Sequence, residues 1–260
     1  IFYNLGAIYF DQGKVKEAEV LIEKAIKLDS KLAFPYATLG QIFTNQGKLK
    51  EAELSFKKAI EIKPDFAEFY LSLGNTLREI GKSEEAACSL KKAIDIKPDF
   101  ADAYASLGNI MRDLGRLIKA EEYMRKAIDL NPNSINFNNN FGVILQDLGK
   151  YKQAELYLHK SIEINPNSAY ANYNLGNILL ELKKFSEAEY FQRRAIKINP
   201  DFASAYFNLG IVQNKTGQLT EAIISFKKSI KLDPKGIHRI SYLIYVLSKQ
   251  CMWDEIEQYL

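Results

Sequence analysis

Apolar residues recur at spacings of three and four along almost the whole chain, and the runs are broken at regular intervals by glycine or proline. Between residues 33 and 66, Tyr36, Leu39 and Gly40 precede a break at Gly47, and Ala52, Phe56 and Ala59 follow it before Pro64. A period near 3.6 on both sides of a short interruption predicts two amphipathic helices joined by a tight turn. No such pair can bury its apolar stripe alone, so neighbouring pairs must stack.

The pattern returns every 34 residues. Gly6, Gly40, Gly74, Gly108, Gly142, Gly176 and Gly210 keep that step, and Gly13, Gly47, Gly81, Gly115, Gly149 and Gly217 form a second series seven residues later. With the first glycine numbered position 8 of the unit, position 20 is Ala18, Ala52, Ala86, Ala120, Ala154, Ala188 or Ala222, and position 28 is Ile in all seven units. The units run 1–32, 33–66, 67–100, 101–134, 135–168, 169–202 and 203–236, with a degenerate partial eighth at 237–260. Gly at position 15 supplies the left-handed residue that ends the first helix. In the sixth unit Lys183 stands there instead and must take that conformation under strain. Proline at position 32 stops the second helix, and the residue behind it (Asp65, Asp99, Asn133, Asn167, Asp201) is expected to cap the next helix. Gly at 8 and Ala at 20 remove bulk where paired helices approach closest, so a large residue at Gly108 or Ala120 is expected to split the stack locally.

This period, with aromatic, Leu and Gly at positions 4, 7 and 8 (Tyr104, Leu107, Gly108) and Ala, Phe and Ala at 20, 24 and 27 (Ala52, Phe56, Ala59), closely resembles the tetratricopeptide repeat. The resemblance implies an all-α fold, a right-handed superhelical solenoid of antiparallel two-helix hairpins. It also implies that the first helices line a concave groove holding an extended polypeptide, with positions 2, 5, 9, 12 and 13 facing into it. Here position 9 holds Asn75, Asn109 and Asn177, and the neighbouring position 6 holds Asn140, Asn174 and Asn208. Arg78 and Arg112 stand at position 12, and Tyr170, Tyr173 and Phe207 make a candidate aromatic pocket at positions 2 and 5. Carboxamides offer donor and acceptor together and suit the grip of a peptide backbone whatever its side chains.

The segments Pro98 to Tyr104 and Tyr173 to Asn177 are similar to the repeat array of the O-linked N-acetylglucosamine transferases, where asparagines at position 6 contact substrate backbone; Thr38, Ser72 and Ser106 interrupt that series here. Position 5 carries no lysine, so the terminal-carboxylate clamp of the family's chaperone adaptors is not expected. Position 13 is acidic at Asp11, Glu79, Asp113, Asp147 and Glu181, with Arg78 and Arg112 among them, which favours a mixed-charge or mildly basic peptide.

Lys and Arg number 35 against 32 Asp and Glu, a net charge of +3 that is far from the basic excess of a dedicated nucleic-acid binder. Positions 25 and 26 do align twelve cations, from Lys24 and Lys57 to Arg194 and Lys228. Carboxylates four residues earlier and the favourable placement of cations late in a helix read this ridge as a solvated face, against nucleic acid or membrane as partner. Two cysteines far apart, Cys88 and Cys251, make no disulfide framework and fit a reducing, intracellular and cytoplasmic setting. Neither a membrane span nor a signal peptide is read in these residues.

No catalytic constellation is read in these residues. His159 and His238 lie in different units, and neither meets a nucleophile or a metal-ligand partner in sequence. Gly81-Lys82-Ser83 matches the end of a phosphate-binding loop, but Thr76 stands where its first glycine belongs. No catalytic residue, metal or cofactor is expected. The reading is a protein-interaction module or, alternatively, the substrate-recruiting arm of a larger transferase, such as a glycosyltransferase. The last unit, with Ile244 at the glycine position and Ile256 at the alanine position, is expected to pack against further chain or a partner subunit.

Overall fold

The computed structural model describes residues 1–259, with Ile237 described by its backbone alone; the final position of the partial eighth unit, Leu260, lies outside the described residues. All regular structure among the described residues is helical. The chain forms two compact units, Ile1–Pro132 and Asn133–Leu260. The first holds α1 (Phe2–Asp11), α2 (Val15–Leu28), α3 (Ala33–Asn45), α4 (Leu49–Ile62), α5 (Ala67–Ile80), α6 (Ser83–Ile96), α7 (Ala101–Asp113) and α8 (Leu117–Leu130). The second holds α9 (Ile135–Asp147), α10 (Tyr151–Ile164), α11 (Ala169–Glu181), α12 (Phe185–Ile198), α13 (Ala203–Lys215), α14 (Leu219–Leu232), α15 (Ile237–Lys249) and α16 (Trp253–Ile256), followed by a 3-10 turn at Glu257–Tyr259. Within each unit consecutive helices pair as hairpins, and each hairpin packs on the next.

The turn inside every hairpin has one geometry. The N–H at position 16 donates to the carbonyl five residues earlier, as in Lys14 to Tyr9, Lys82 to Leu77 and Lys150 to Leu145. This closure needs a left-handed residue between, and the six glycines at position 15 supply it with φ from 70° to 91°. Lys183 takes φ 59° in the same place, as its substitution for glycine predicts. Cys251 does so too, at φ 55°, and Met252 N–H closes on the Leu247 carbonyl. The eighth unit therefore keeps the turn although its glycine signals are gone.

Position 20 is fully buried in all seven units, and the position-8 glycine lies against the residue sixteen places later. A Cβ on Gly40 would stand 2.8 Å from the Phe56 ring, and one on Gly142 2.5 Å from Leu158 Cγ. Where position 27 is serine rather than alanine, the buried hydroxyl donates to the first turn of its partner helix, Ser161 to Ile135 O (3.1 Å) and Ser229 to Ala203 O (2.7 Å).

The capping expectation needs correction. The Asp or Asn at position 33 accepts no helix N–H; the residue directly before the first helix is position 34, and only a hydroxyl there reaches the third N–H of the helix. Ser134 accepts from Phe137 N–H and Ser168 from Ala171 N–H, each at 3.3 Å. Elsewhere Leu32, Phe66, Phe100 and Phe202 occupy that place without a side-chain cap. The polar residue that shapes this connection sits at position 31, where Asn165 and Asn199 accept the N–H two residues on.

A polar ladder links hairpins at their turns. Position 16 reaches back to position 21 of the preceding unit: Lys48 to Glu19 (3.9 Å), Lys82 to Glu53 (3.0 Å), Lys184 to Glu155 (2.6 Å) and Gln218 to Glu189 (3.2 Å). In the third unit position 21 is Ala87, and Arg116 bonds Glu84 instead (2.6 Å). Glu53 is only 7% exposed. The Lys57 ammonium holds its carboxyl below the usual carboxylate range against the opposing pull of burial, with Lys82 adding to the effect. Lys82 is raised in return by Glu53, and Lys184 by Glu155.

At the C-terminal end Leu243, Val246, Leu247 and Ile256 are buried against Ala222, Ile223 and Phe226 within the second unit. Most of the apolar face expected to await another partner is thus used by α14; Tyr242, Tyr245 and Trp253 stay exposed.

Candidate functional site

The first helices of the first unit present a shallow hollow between α3 and α5. Its volume is about 260 Å³. Phe56 and Thr76, both buried, form the floor. Around them stand the carboxamides of Gln41, Asn45 and Asn75, the hydroxyls of Thr44 and Ser72, and the Glu79 carboxylate. Helix periodicity aligns these groups, since positions 6, 9 and 13 of one helix share a face. Thr44 donates to Gly40 O (3.0 Å) and Thr76 to the Ser72 main-chain O (2.9 Å), so the two threonine hydroxyls are already used within their helices. Gln41, Asn75 and Glu79 make no side-chain hydrogen bond or ion pair among the described residues, and all three are exposed.

The remaining sequence-selected residues of this unit differ. Asn109 is half-buried on α7 with its carboxamide likewise uncommitted, and Arg112 is half-buried nearby. Arg78 is committed: its Nε donates to Asp113 Oδ2 at 2.6 Å across α5 and α7, so one position-13 carboxylate is neutralised by one position-12 cation. Asp11 and Glu79, at the same position 13, have no cation partner among the described residues.

In the second unit the asparagines bond to each other. Asn174 Nδ2 donates to Asn139 Oδ1 (2.9 Å), joining α11 to α9, and Asn139 in turn donates to Asn140 (3.4 Å). Asn208 Nδ2 donates to Asn177 Oδ1 (2.6 Å), joining α13 to α11. The same Asn177 oxygen accepts from Gln192 Nε2 (2.8 Å). Gln192 fills the position-24 slot that is Phe56 or Leu158 elsewhere; it is fully buried and its Oε1 meets no donor. A polar residue interrupting the apolar run of α12 was the signal for it in the sequence. The three aromatic residues do not form one pocket. Tyr170 and Tyr173 both pack on Phe202, with ring centroids 5.1 and 4.8 Å away, whereas Phe207 packs on Phe226, His238 and Tyr242.

Family models match most of the chain up to residue 235. One described as TPR repeat matches residues 40–81 and 74–115, and others described as tetratricopeptide repeat match residues 1–32, 101–134, 123–155, 140–201 and 203–235. The chain belongs to the tetratricopeptide repeat family. No curated protein matches its sequence.

Among solved tetratricopeptide structures, the Cut9–Hcn1 hetero-tetramer of APC/C superposes with a TM-score of 0.81 at 17% identity, over 93% of this chain and 48% of that one. This chain therefore spans about half of that relative's length. A tetratricopeptide repeat protein from Parabacteroides merdae gives 0.73 at 18% identity over 95% and 97% of the two chains. YrrB, described as a TPR protein with an unusual peptide-binding site, gives 0.58 at 24% over 72% and 96%. At these identities the likeness is one of fold. Among the described residues no helix is long and apolar enough to cross a membrane, and no three His, Cys, Asp or Glu side chains are grouped to hold a metal ion.

Proposed function

We propose that this tetratricopeptide repeat protein is an interaction scaffold that holds an extended polypeptide along the face of its first helices. The hollow between α3 and α5 carries the reading: Asn75 and Gln41 offer uncommitted carboxamides above a buried aromatic floor, and Glu79 offers an unpaired carboxylate. Carboxamides on successive helices engage main-chain N–H and C=O groups of an extended strand, which gives affinity with little side-chain demand. Unpaired Glu79 and Asp11 select for a peptide carrying Lys or Arg. The test uses a peptide selected from a random-sequence display library on the immobilised chain, with affinity read by fluorescence anisotropy. Asn75→Ala with Asn109→Ala is expected to weaken binding by about tenfold or more, with the helical circular dichroism unchanged because neither side chain bonds to another of the described residues. Unchanged affinity overturns the reading.

The second reading, a substrate-recruiting arm of a larger transferase, draws on the alignment of Asn139, Asn174, Asn177 and Asn208 along three successive first helices. It requires a transferase domain in the same reading frame; a complete frame without one removes it.

A further inference from the structure

The second helices also present something the packing does not need. Position 22 faces solvent yet is apolar in most repeats; in the compact unit that begins at Asn133, Leu156, Tyr190 and Ile224 are 66%, 56% and 63% exposed. Two hollows flank α12 beside these residues and share Arg193. One, of about 790 Å³, is lined by Asn167, Tyr190, Arg193, Arg194, Lys197 and Ile198, without a carboxylate. The other, of about 390 Å³, includes Tyr206, Ile224 and Lys228, with Glu221 as its one acid.

The charges around these hollows are unequally compensated. Arg193 is paired with Glu189 at 2.7 Å. Arg194, Lys197 and Lys228 have no carboxylate partner among the described residues. Arg194 donates to the Pro166 carbonyl (3.0 Å) and lies over Tyr190, and Lys228 lies over Tyr206. Three cations without a carboxylate partner therefore border two recesses, one holding Tyr190 and Ile198 and the other Tyr206, Leu209 and Ile224.

We propose that this face of α12 and α14 is a second binding surface, for an acidic polypeptide segment whose aliphatic or aromatic side chains seat in the two hollows while its carboxylates meet Arg194, Lys197 and Lys228. Exposed aromatic and aliphatic anchors ringed by charge are the usual make-up of a protein-binding patch. A nucleic-acid backbone fits less well, because the apolar side chains offer nothing to phosphates and Glu189 and Glu221 interrupt the run of cations.

The test titrates the whole chain into a short fluorescein-labelled peptide that alternates pairs of Glu with Leu and Phe, and into its counterpart with Gln for every Glu. Saturable binding is expected for the acidic peptide, weaker by about tenfold or more for the Gln peptide. Arg194→Gln with Lys197→Gln is expected to weaken the acidic peptide by a similar factor, and Tyr190→Ala to weaken both peptides. Should the double variant lose helicity, Lys197→Gln alone, at an exposed side chain without a partner among the described residues, carries the same prediction with a smaller factor. Asn75→Ala with Asn109→Ala should bind the acidic peptide as the native chain does, which separates this surface from the face of the first helices. Absence of saturable binding, equal affinity for the two peptides, or indifference to the charge variants overturns the proposal. So does tighter binding of single-stranded DNA or phosphatidylserine vesicles that the same variants abolish, because the surface then serves a different class of partner.

Discussion

A single methyl group separates two glycines that the sequence writes identically. At Gly142 an added Cβ would meet Leu158 Cγ at 2.5 Å, whereas at Gly108 the nearest atoms, Ala120 O and Met124 N, stand 3.3 Å away. Overpacking of a filled layer costs about 1–3 kcal/mol, and replacing a mid-helix glycine by alanine returns up to about 1 kcal/mol. Urea unfolding should therefore show Gly142→Ala clearly destabilised, and Gly108→Ala within about 0.5 kcal/mol of the native chain; equal losses would refute the difference in space. Gly108 has the more room because the Met124 side chain comes no nearer than Cε at 3.4 Å, whereas Leu158 Cγ stands at 2.5 Å from the other site. At Lys183 the left-handed φ of 59° was legible, since only the glycine series exposed the exception. Lys183→Gly should raise stability by about 0.5–1 kcal/mol, read from the same unfolding midpoint. Cys251 takes the same conformation; the register that puts Ile244 at position 8 also puts Cys251 at position 15, but no glycine marks the turn there.

The helix pairs themselves were readable from spacing alone, because each apolar stripe has a single partner that satisfies it. Their connections were not. The order of residues at positions 31 to 34 names several possible caps, and backbone geometry alone decides that Ser134 and Ser168 reach the helix while Asn167 does not. The ladder between positions 16 and 21 was hidden for a similar reason: Glu53 has Lys57 four residues on as an evident partner, and Lys82, 29 residues away, becomes one only when the hairpins stack. This ladder ties stability to pH. A carboxylate whose folded pKa is lowered contributes stability above its unfolded value near 4.5, and that contribution is lost as pH falls through the lower folded value. Glu53→Gln should then remove about 0.5–1 kcal/mol at neutral pH and flatten the loss of stability below pH 4.5. Thermal melts of both proteins from neutral to acid pH check this; parallel curves would show that Glu53 contributes nothing to the acid limb.

At the scale of the molecule, nearly every glycine and proline is used by the period. The repeat pattern selects a face of each hairpin but does not tell which of its polar groups are free. Asn75, Asn109 and Asn177 share position 9, yet Asn177 is bonded on its oxygen by Asn208 and Gln192, while Asn75 and Asn109 are uncommitted. The difference arises at other positions, from a glutamine at 24 and an asparagine at 6 of the next unit, which no reading of position 9 reveals. The most direct test places a photo-crosslinking amino acid at Glu79, on the rim of the α3 and α5 hollow, or in a separate protein at Leu54, exposed on the opposite side of the hairpins. With the library-selected peptide bound, the account predicts crosslinking from position 79 and none from 54. Crosslinking from 54 alone, or equally from both, would contradict it.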